Sequence, residues 1–126
     1  MDPIRTHGLD HVAITVTDLK RSHDFYAAVL GLESRYGESH EPVFMLAGET
    51  GLALFRVESH PGDGEGRPPI RVLHVAFRVD REQFDRARAE LPAAGIEPRF
   101  ADHGSVHSLY FPDPDGHVVE LATYEV

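Results

Sequence analysis

Two stretches of this chain alternate apolar residues with others. In Leu9-Asp10-His11-Val12-Ala13-Ile14-Thr15-Val16, the residues Val12, Ile14 and Val16 share one face, and His11, Ala13 and Thr15 the other. In Val72-Leu73-His74-Val75-Ala76-Phe77-Arg78-Val79, Leu73, Val75, Phe77 and Val79 share a face, opposite Val72, His74, Ala76 and Arg78. A period of two predicts strands. Each strand is followed by a helical period. Asp18 reads as an N-cap before Ser22, Phe25, Tyr26, Val29 and Leu30, and Gly31 as a stop. Asp80 caps the second helix, with Gln83 at the capping-box position and Phe84, Ala87, Leu91 and Ala94 as the buried stripe. Pro92 should end that helix early, because its ring blocks a hydrogen bond back to Arg88.

Three short strands follow each helix, over 32–36, 43–46 and 52–57, then over 96–101, 106–111 and 117–124. Pro112-Asp113-Pro114-Asp115-Gly116 reads as the tight turn before the last of them. The halves share more than order. His11 and His74 lie 63 positions apart, and Gly31-Leu32-Glu33 and Gly95-Ile96-Glu97 lie 64 apart. The prediction is α+β: two βαβββ repeats in one domain spanning 1–126. Repeat one covers about 8–58, a Gly/Pro-rich linker 59–70, and repeat two 71–124. Each repeat leaves one sheet face bare, and two bare faces can enclose a cleft.

Composition narrows the partners. The formal charge is −9, which disfavours nucleic acid and anionic membranes. No apolar run approaches the ~20 residues of a membrane span, and the first residues lack the apolar stretch of a signal peptide, so the cytoplasm is expected. There is no cysteine, which excludes disulfides, thiolate metal sites and cysteine nucleophiles.

The candidate chemistry is histidine and carboxylate. Alternation puts His11, His74 and Glu120 on the faces turned away from the helices. A strand histidine is ordinarily a hydrogen-bonded structural residue. Repetition at equivalent positions, with a carboxylate flanked by Val118, Val119, Leu121 and Ala122, points instead to a divalent-metal site. Alternation also sets His107 on the face opposite Tyr110, so at most one of His103 and His107 points inward, with His103 favoured; surface or turn positions are the other reading for both. Arg78 is expected to pair with an acidic neighbour, and His7, His23, His40 and His117 to face solvent.

The repeat, the opening Leu9-Asp10-His11-Val12, the Phe25-Tyr26 pair before Leu30-Gly31, and Asp113-Pro114-Asp115-Gly116-His117-Val118-Val119-Glu120-Leu121 together resemble the vicinal oxygen chelate superfamily. That group includes glyoxalase I, bleomycin-resistance proteins, fosfomycin-resistance enzymes and extradiol dioxygenases. The resemblance implies a curved mixed sheet around a metal-binding cleft, a homodimer, and a small-molecule substrate that chelates the metal through adjacent oxygens. It implies His11, His74 and Glu120 as ligands. The fourth ligand of glyoxalase I would fall at Phe55, aligning Gly51 with Gly116, or at Leu54 or Arg56; none is a ligand type. His103-Gly104-Ser105-Val106-His107-Ser108-Leu109-Tyr110, with Tyr110 ten residues before Glu120, is similar to extradiol dioxygenases. It implies Tyr110 and His103 as catalytic residues with Fe(II) as the favoured metal over Mn, Zn or Ni. That likeness lacks an acid-base histidine near Thr50 or Gly51. The alternatives are a bleomycin-resistance-like binding protein and an Mn-dependent fosfomycin-resistance-type transferase or hydrolase. For the last, the phosphonate-gripping stretch offers Arg99 but no lysine.

Overall fold

The chain folds in the order strand, helix, three strands, twice over. A computed structural model describes residues 1–3, 5, 7, 9–37, 39–57 and 72–126. The linker read over 59–70, including His60, lies outside the described residues. The molecule divides into two compact units, Met1–Asp63 and Gly64–Val126.

In the first unit β1 (His11–Val16) leads into α1 (Leu19–Leu30), then β2 (Glu33–Ser34), β3 (Val43–Ala47) and β4 (Thr50–Arg56). The sheet order is β1-β4-β3-β2, with β1 parallel to β4 and the other pairs antiparallel. The second unit repeats this with β5 (Val75–Arg78), α2 (Arg81–Glu90), β6 (Arg99–Asp102), β7 (His107–Pro112) and β8 (Val118–Thr123), in the order β5-β8-β7-β6. A parallel pair needs a crossover, and the helix supplies it. The architecture is α+β, as the periodicity predicts.

The caps form where the sequence places them. The Asp18 side chain accepts the Arg21 amide at 3.0 Å, and Gly31 closes α1 at φ 68°, a left-handed turn that glycine adopts without a Cβ penalty. The Asp80 side chain accepts the Gln83 amide at 2.8 Å. Pro92 ends α2: the chain passes into a 3₁₀ turn over Leu91–Ala94. The tighter turn rotates Ala94 off the buried stripe, and it is exposed.

Ser22 and Tyr26 of α1 are buried, and the helix packs on β3 and β4. Beneath it lie Ile14, Val16, Val43, Met45, Leu52 and Leu54. In the second unit Phe84 of α2, fully buried, lies edge-on to Phe100 at a ring separation of 6.2 Å. Leu109, Phe111, Val119 and Leu121 complete that core.

Several strands are shorter than the pattern suggests. The parallel ladder between β5 and β8 starts at Val75 and Val119; carried back, its register sets Leu73 beyond the start of β8, so Val72 and Leu73 have no ladder and stay exposed. His74 sits just outside the strand. β6 begins at Arg99, directly after Pro98, which has no amide to donate. β2 keeps only two residues, although the Arg35 amide still bonds the Phe44 carbonyl at 2.8 Å. Among the described residues no helix is long and apolar enough to cross a membrane.

Candidate metal centre

The turn before β8 fixes the carboxylate of the second unit. Asp113, buried, accepts the Asp115 and His117 amides at 2.9 and 2.8 Å, and its own amide bonds the His117 carbonyl at 2.8 Å. Gly116 completes the reversal at φ 90°. This closes the β7–β8 hairpin in a register that sets Tyr110 directly opposite Glu120. On its other side Glu120 faces Ala76 of β5, the residue two beyond His74.

The result is a tight polar group around a buried carboxylate, with His74 and His103 at the exposed side. Glu120 is 8% exposed. Its Oε1 lies 3.1 Å from His74 Nε2, and its Oε2 accepts a hydrogen bond from the fully buried Ser108 hydroxyl at 2.7 Å. The Tyr110 ring stands edge-on to His74 at 5.8 Å, and its hydroxyl is 3.0 Å from His103 Nε2. His107 points the other way. It packs against Phe84 and Phe100 on the helix side, with Nδ1 accepting from Arg81 at 2.9 Å. A histidine that accepts from an arginine is neutral at that nitrogen.

In the first unit His11 Nδ1 lies 2.7 Å from Asp10 Oδ2. A carboxylate can only accept, so Nδ1 donates, and in the neutral ring this leaves the lone pair on Nε2. The His11 ring lies 5.2 Å from that of Phe44. The structure thus brings His74, Glu120, Tyr110 and His103 together within one unit, and sets His11 in the other beside Asp10. Among the described residues no three His, Asp or Glu side chains are gathered closely enough to enclose a metal ion by themselves.

The register corrects one alignment. Ala13 faces Ala53 as Ala76 faces Glu120, so the counterpart of Glu120 is Ala53, not Phe55, Leu54 or Arg56. Gly51 belongs to β4 opposite His11, whereas Gly116 lies in a turn, so the two glycines are not equivalent. Arg78 lies over the Tyr124 ring at 4.8 Å instead of pairing with an acid. The His23 side chain is only 14% exposed, against Asp24 at 3.0 Å.

Asp10 and Ser108 were not singled out by the pattern. Asp10 adjoins a histidine, and Ser108 shares the Tyr110 face by alternation; only the hairpin register, which links 108 and 120 diagonally, reveals the second.

His74 Nε2 and Glu120 Oε1 are in direct polar contact at 3.1 Å; an imidazole nitrogen and a carboxylate oxygen are donor types that divalent metals take.

A sequence model of the Glyoxalase/Bleomycin resistance protein/Dioxygenase superfamily matches residues 8–121, and the chain belongs to that superfamily. The chain is 31% identical over 121 residues to "Metallothiol transferase FosB" of Staphylococcus saprophyticus, covering 92% of this chain and 76% of the relative. It is 29% identical over 125 residues to "Fosfomycin resistance protein FosX" of Mesorhizobium japonicum, covering 92% and 85%. The crystal structure of a lactoylglutathione lyase from Agrobacterium tumefaciens superposes with a TM-score of 0.76 at 25% identity, covering 94% of each chain.

Proposed function

We propose that this member of the superfamily is a divalent-metal-dependent enzyme that adds a nucleophile, a thiol or water, to an epoxide on a small oxygen-chelating substrate. His11, His74 and Glu120 are its metal ligands. The observation that carries the reading is the His74–Glu120 pair at 3.1 Å, with the second carboxylate oxygen held by Ser108. The likeness to fosfomycin-resistance relatives supports the reaction class. When bound, the metal supplies Lewis-acid stabilisation of oxygen charge.

The chain's own residues have separate tasks. Asp10 holds the His11 tautomer, so that Nε2 is the ligating atom. Ser108 fixes the Glu120 rotamer. Tyr110 presents its hydroxyl beside His74, and His103 sets its proton. With His103 Nε2 accepting, the phenol proton is committed to the imidazole; with Nε2–H donating, the phenol is free to donate to substrate oxygen. Glu120 and His74 come from one unit and His11 from the other, and we take the working form to be a homodimer.

Metal analysis of anaerobically purified, untagged protein tests the ligands. About one divalent metal per chain is expected, lost in His11→Ala, His74→Ala and Glu120→Ala. Retention of metal in His11→Ala overturns the triad. Epoxide consumption with a thiol or water, and no oxygen uptake with catechols, is the expected activity.

The His103–Tyr110 contact at 3.0 Å favours one second reading, an Fe(II) extradiol dioxygenase. Oxygen uptake with a catechol would establish it in place of the first. Stoichiometric drug binding by metal-free protein would instead indicate a sequestering protein.

A further inference from the structure

We propose that His107 is a positioning residue: from the helix side of the sheet it holds the turn that presents His103 to Tyr110. This rests on the metal-enzyme reading above, in which His103 sets the Tyr110 proton. Alternation separates the two side chains, since Tyr110 lies against His74 and His107 against Phe84 of α2. The turn between β6 and β7 connects them. Asp102 and His107 are cross-strand partners at the end of that ladder, and residues 103–106 cross from one to the other. Asp102 Oδ1 accepts the Gly104 amide at 2.8 Å, and the same oxygen lies 3.4 Å from His107 Nε2. His103 stands between the residues so joined. Its amide bonds the Val106 carbonyl at 2.9 Å, and its Nε2 lies 3.0 Å from the Tyr110 hydroxyl.

The donors and acceptors around His107 run in one direction. Arg81 opens α2, and all three of its guanidinium nitrogens are engaged. Nε and Nη2 donate to Asp85 at 3.1 and 2.9 Å; Nη1 donates to the Glu125 carbonyl at 3.2 Å and to His107 Nδ1 at 2.9 Å. A guanidinium only donates, so His107 Nδ1 accepts, and the neutral ring carries its hydrogen on Nε2. The Asp102 carboxylate, which only accepts, lies on that side. Ring contacts fix the imidazole as well, with Phe100 edge-on at 5.3 Å and Phe84 at 6.4 Å. A phenylalanine at this position would keep that packing. It would leave the Arg81 N–H and the Asp102 oxygen without their ring partner, and the turn that carries His103 would lose its support from the helix side.

Long-range proton–nitrogen NMR spectra of the full chain, titrated with diamagnetic Zn(II), test this, because the two ring nitrogens of a histidine report its tautomer. In wild type His107 should show the Nε2–H form alone, and His103 a single form. His107→Phe should move the His103 signals toward the average of two tautomers, while those of His23 and His40 in the first unit stay in place. It should also lower kcat for epoxide opening by about tenfold or more, with metal content unchanged. His107→Gln, whose amide has one acceptor and one donor, should recover part of both effects. Arg81→Met cuts the same line at its other end and should move the His103 signals in the same direction. Unmoved His103 signals in His107→Phe and Arg81→Met overturn the assignment, as does an Nδ1–H form of His107 in wild type. So does a disturbance that spreads to every histidine, since that means loss of packing alone. Failure of the His11 and His74 signals to respond to Zn(II) defeats the metal reading instead, and leaves the His103 result readable.

Discussion

Replacing Ser108 with alanine isolates the contact that holds the candidate ligand. Ser108 is fully buried and Glu120 is 8% exposed, so no water can take the place of the lost hydroxyl. The void left by one oxygen is too small to add a cavity cost. What remains is a buried carboxylate oxygen without its 2.7 Å donor. Hydrogen bonds to charged groups contribute about 1.5–3 kcal/mol, and an unsatisfied partner makes the upper part of that range apply. By contrast, the exposed, solvent-screened Lys20–Asp24 pair should contribute little. Ser108→Ala should therefore destabilise several times more than Lys20→Ala in urea titrations at pH 7. A second effect falls on the metal. With Oε2 released, Glu120 loses its fixed rotamer, and outer-shell losses of this kind weaken metal affinity by about 10–100-fold. Chelator competition measures that. Stability within about 0.5 kcal/mol of wild type, together with unchanged metal affinity, would refute the claim that Ser108 holds Glu120.

Gly51→Ala should cost about 1–3 kcal/mol, since its Cβ would meet the Phe44 ring at 2.4 Å and the His11 Cβ at 3.1 Å; metal affinity should fall with it, checked by denaturation and chelator competition. Asp113→Ala should destabilise the second unit by about 2 kcal/mol through the orphaned Asp115 and His117 amides, with Asp113→Asn recovering part of it in the same melts. Asp24 should titrate below the usual carboxylate value of 3.8 because of the hydrogen bond from Lys20 and then that with His23. Its small contribution to stability is present above that value and lost as pH falls through the depressed one; NMR titration should show Lys20→Met moving the midpoint up.

Much of the fold was legible because the periods change where the elements change. Asp18, Asp80, Gly31 and Pro92 mark boundaries through local backbone chemistry, and each acts where it stands. The lengths of β2, β5 and β6 were less legible, because a strand ends where its partner ends, and that is a tertiary fact. Leu73 shows the consequence: a residue that alternates like a strand member lies outside the ladder because, in this register, its partner position falls before β8 starts at Val118. Within the second unit, the grouping of His74, Tyr110 and Glu120 follows from a hairpin whose turn is spelled out in the sequence. The Ser108 and Asp10 contacts depend on rotamers, which spacing does not encode. The position of Ala53 was missed because a glycine inside a strand and a glycine inside a turn look alike in sequence.

That position explains why the two repeats are unequal in chemistry. The first unit carries the same framework as the second: His11 for His74, Phe44 opposite Ala53 where Tyr110 is opposite Glu120, and Arg35 bonded to Phe44 where Arg99 faces Tyr110. Two of these positions, Phe44 and Ala53, lack the polar function of their counterparts Tyr110 and Glu120. Phe44 still lies against its histidine, at 5.2 Å compared with 5.8 Å for Tyr110, but offers no hydroxyl. Ala53 is 2% exposed and offers no carboxylate. A glutamate there would need a buried donor in the role of Ser108, and alternation along β3 gives Pro42 and Leu46 on the Phe44 face, neither with a polar side chain. Installing a second carboxylate would thus strand a charge in an apolar wall. The first unit therefore carries His11 beside Asp10 with no carboxylate opposite it, whereas the second gathers His74, Tyr110, Ser108 and Glu120 in one group.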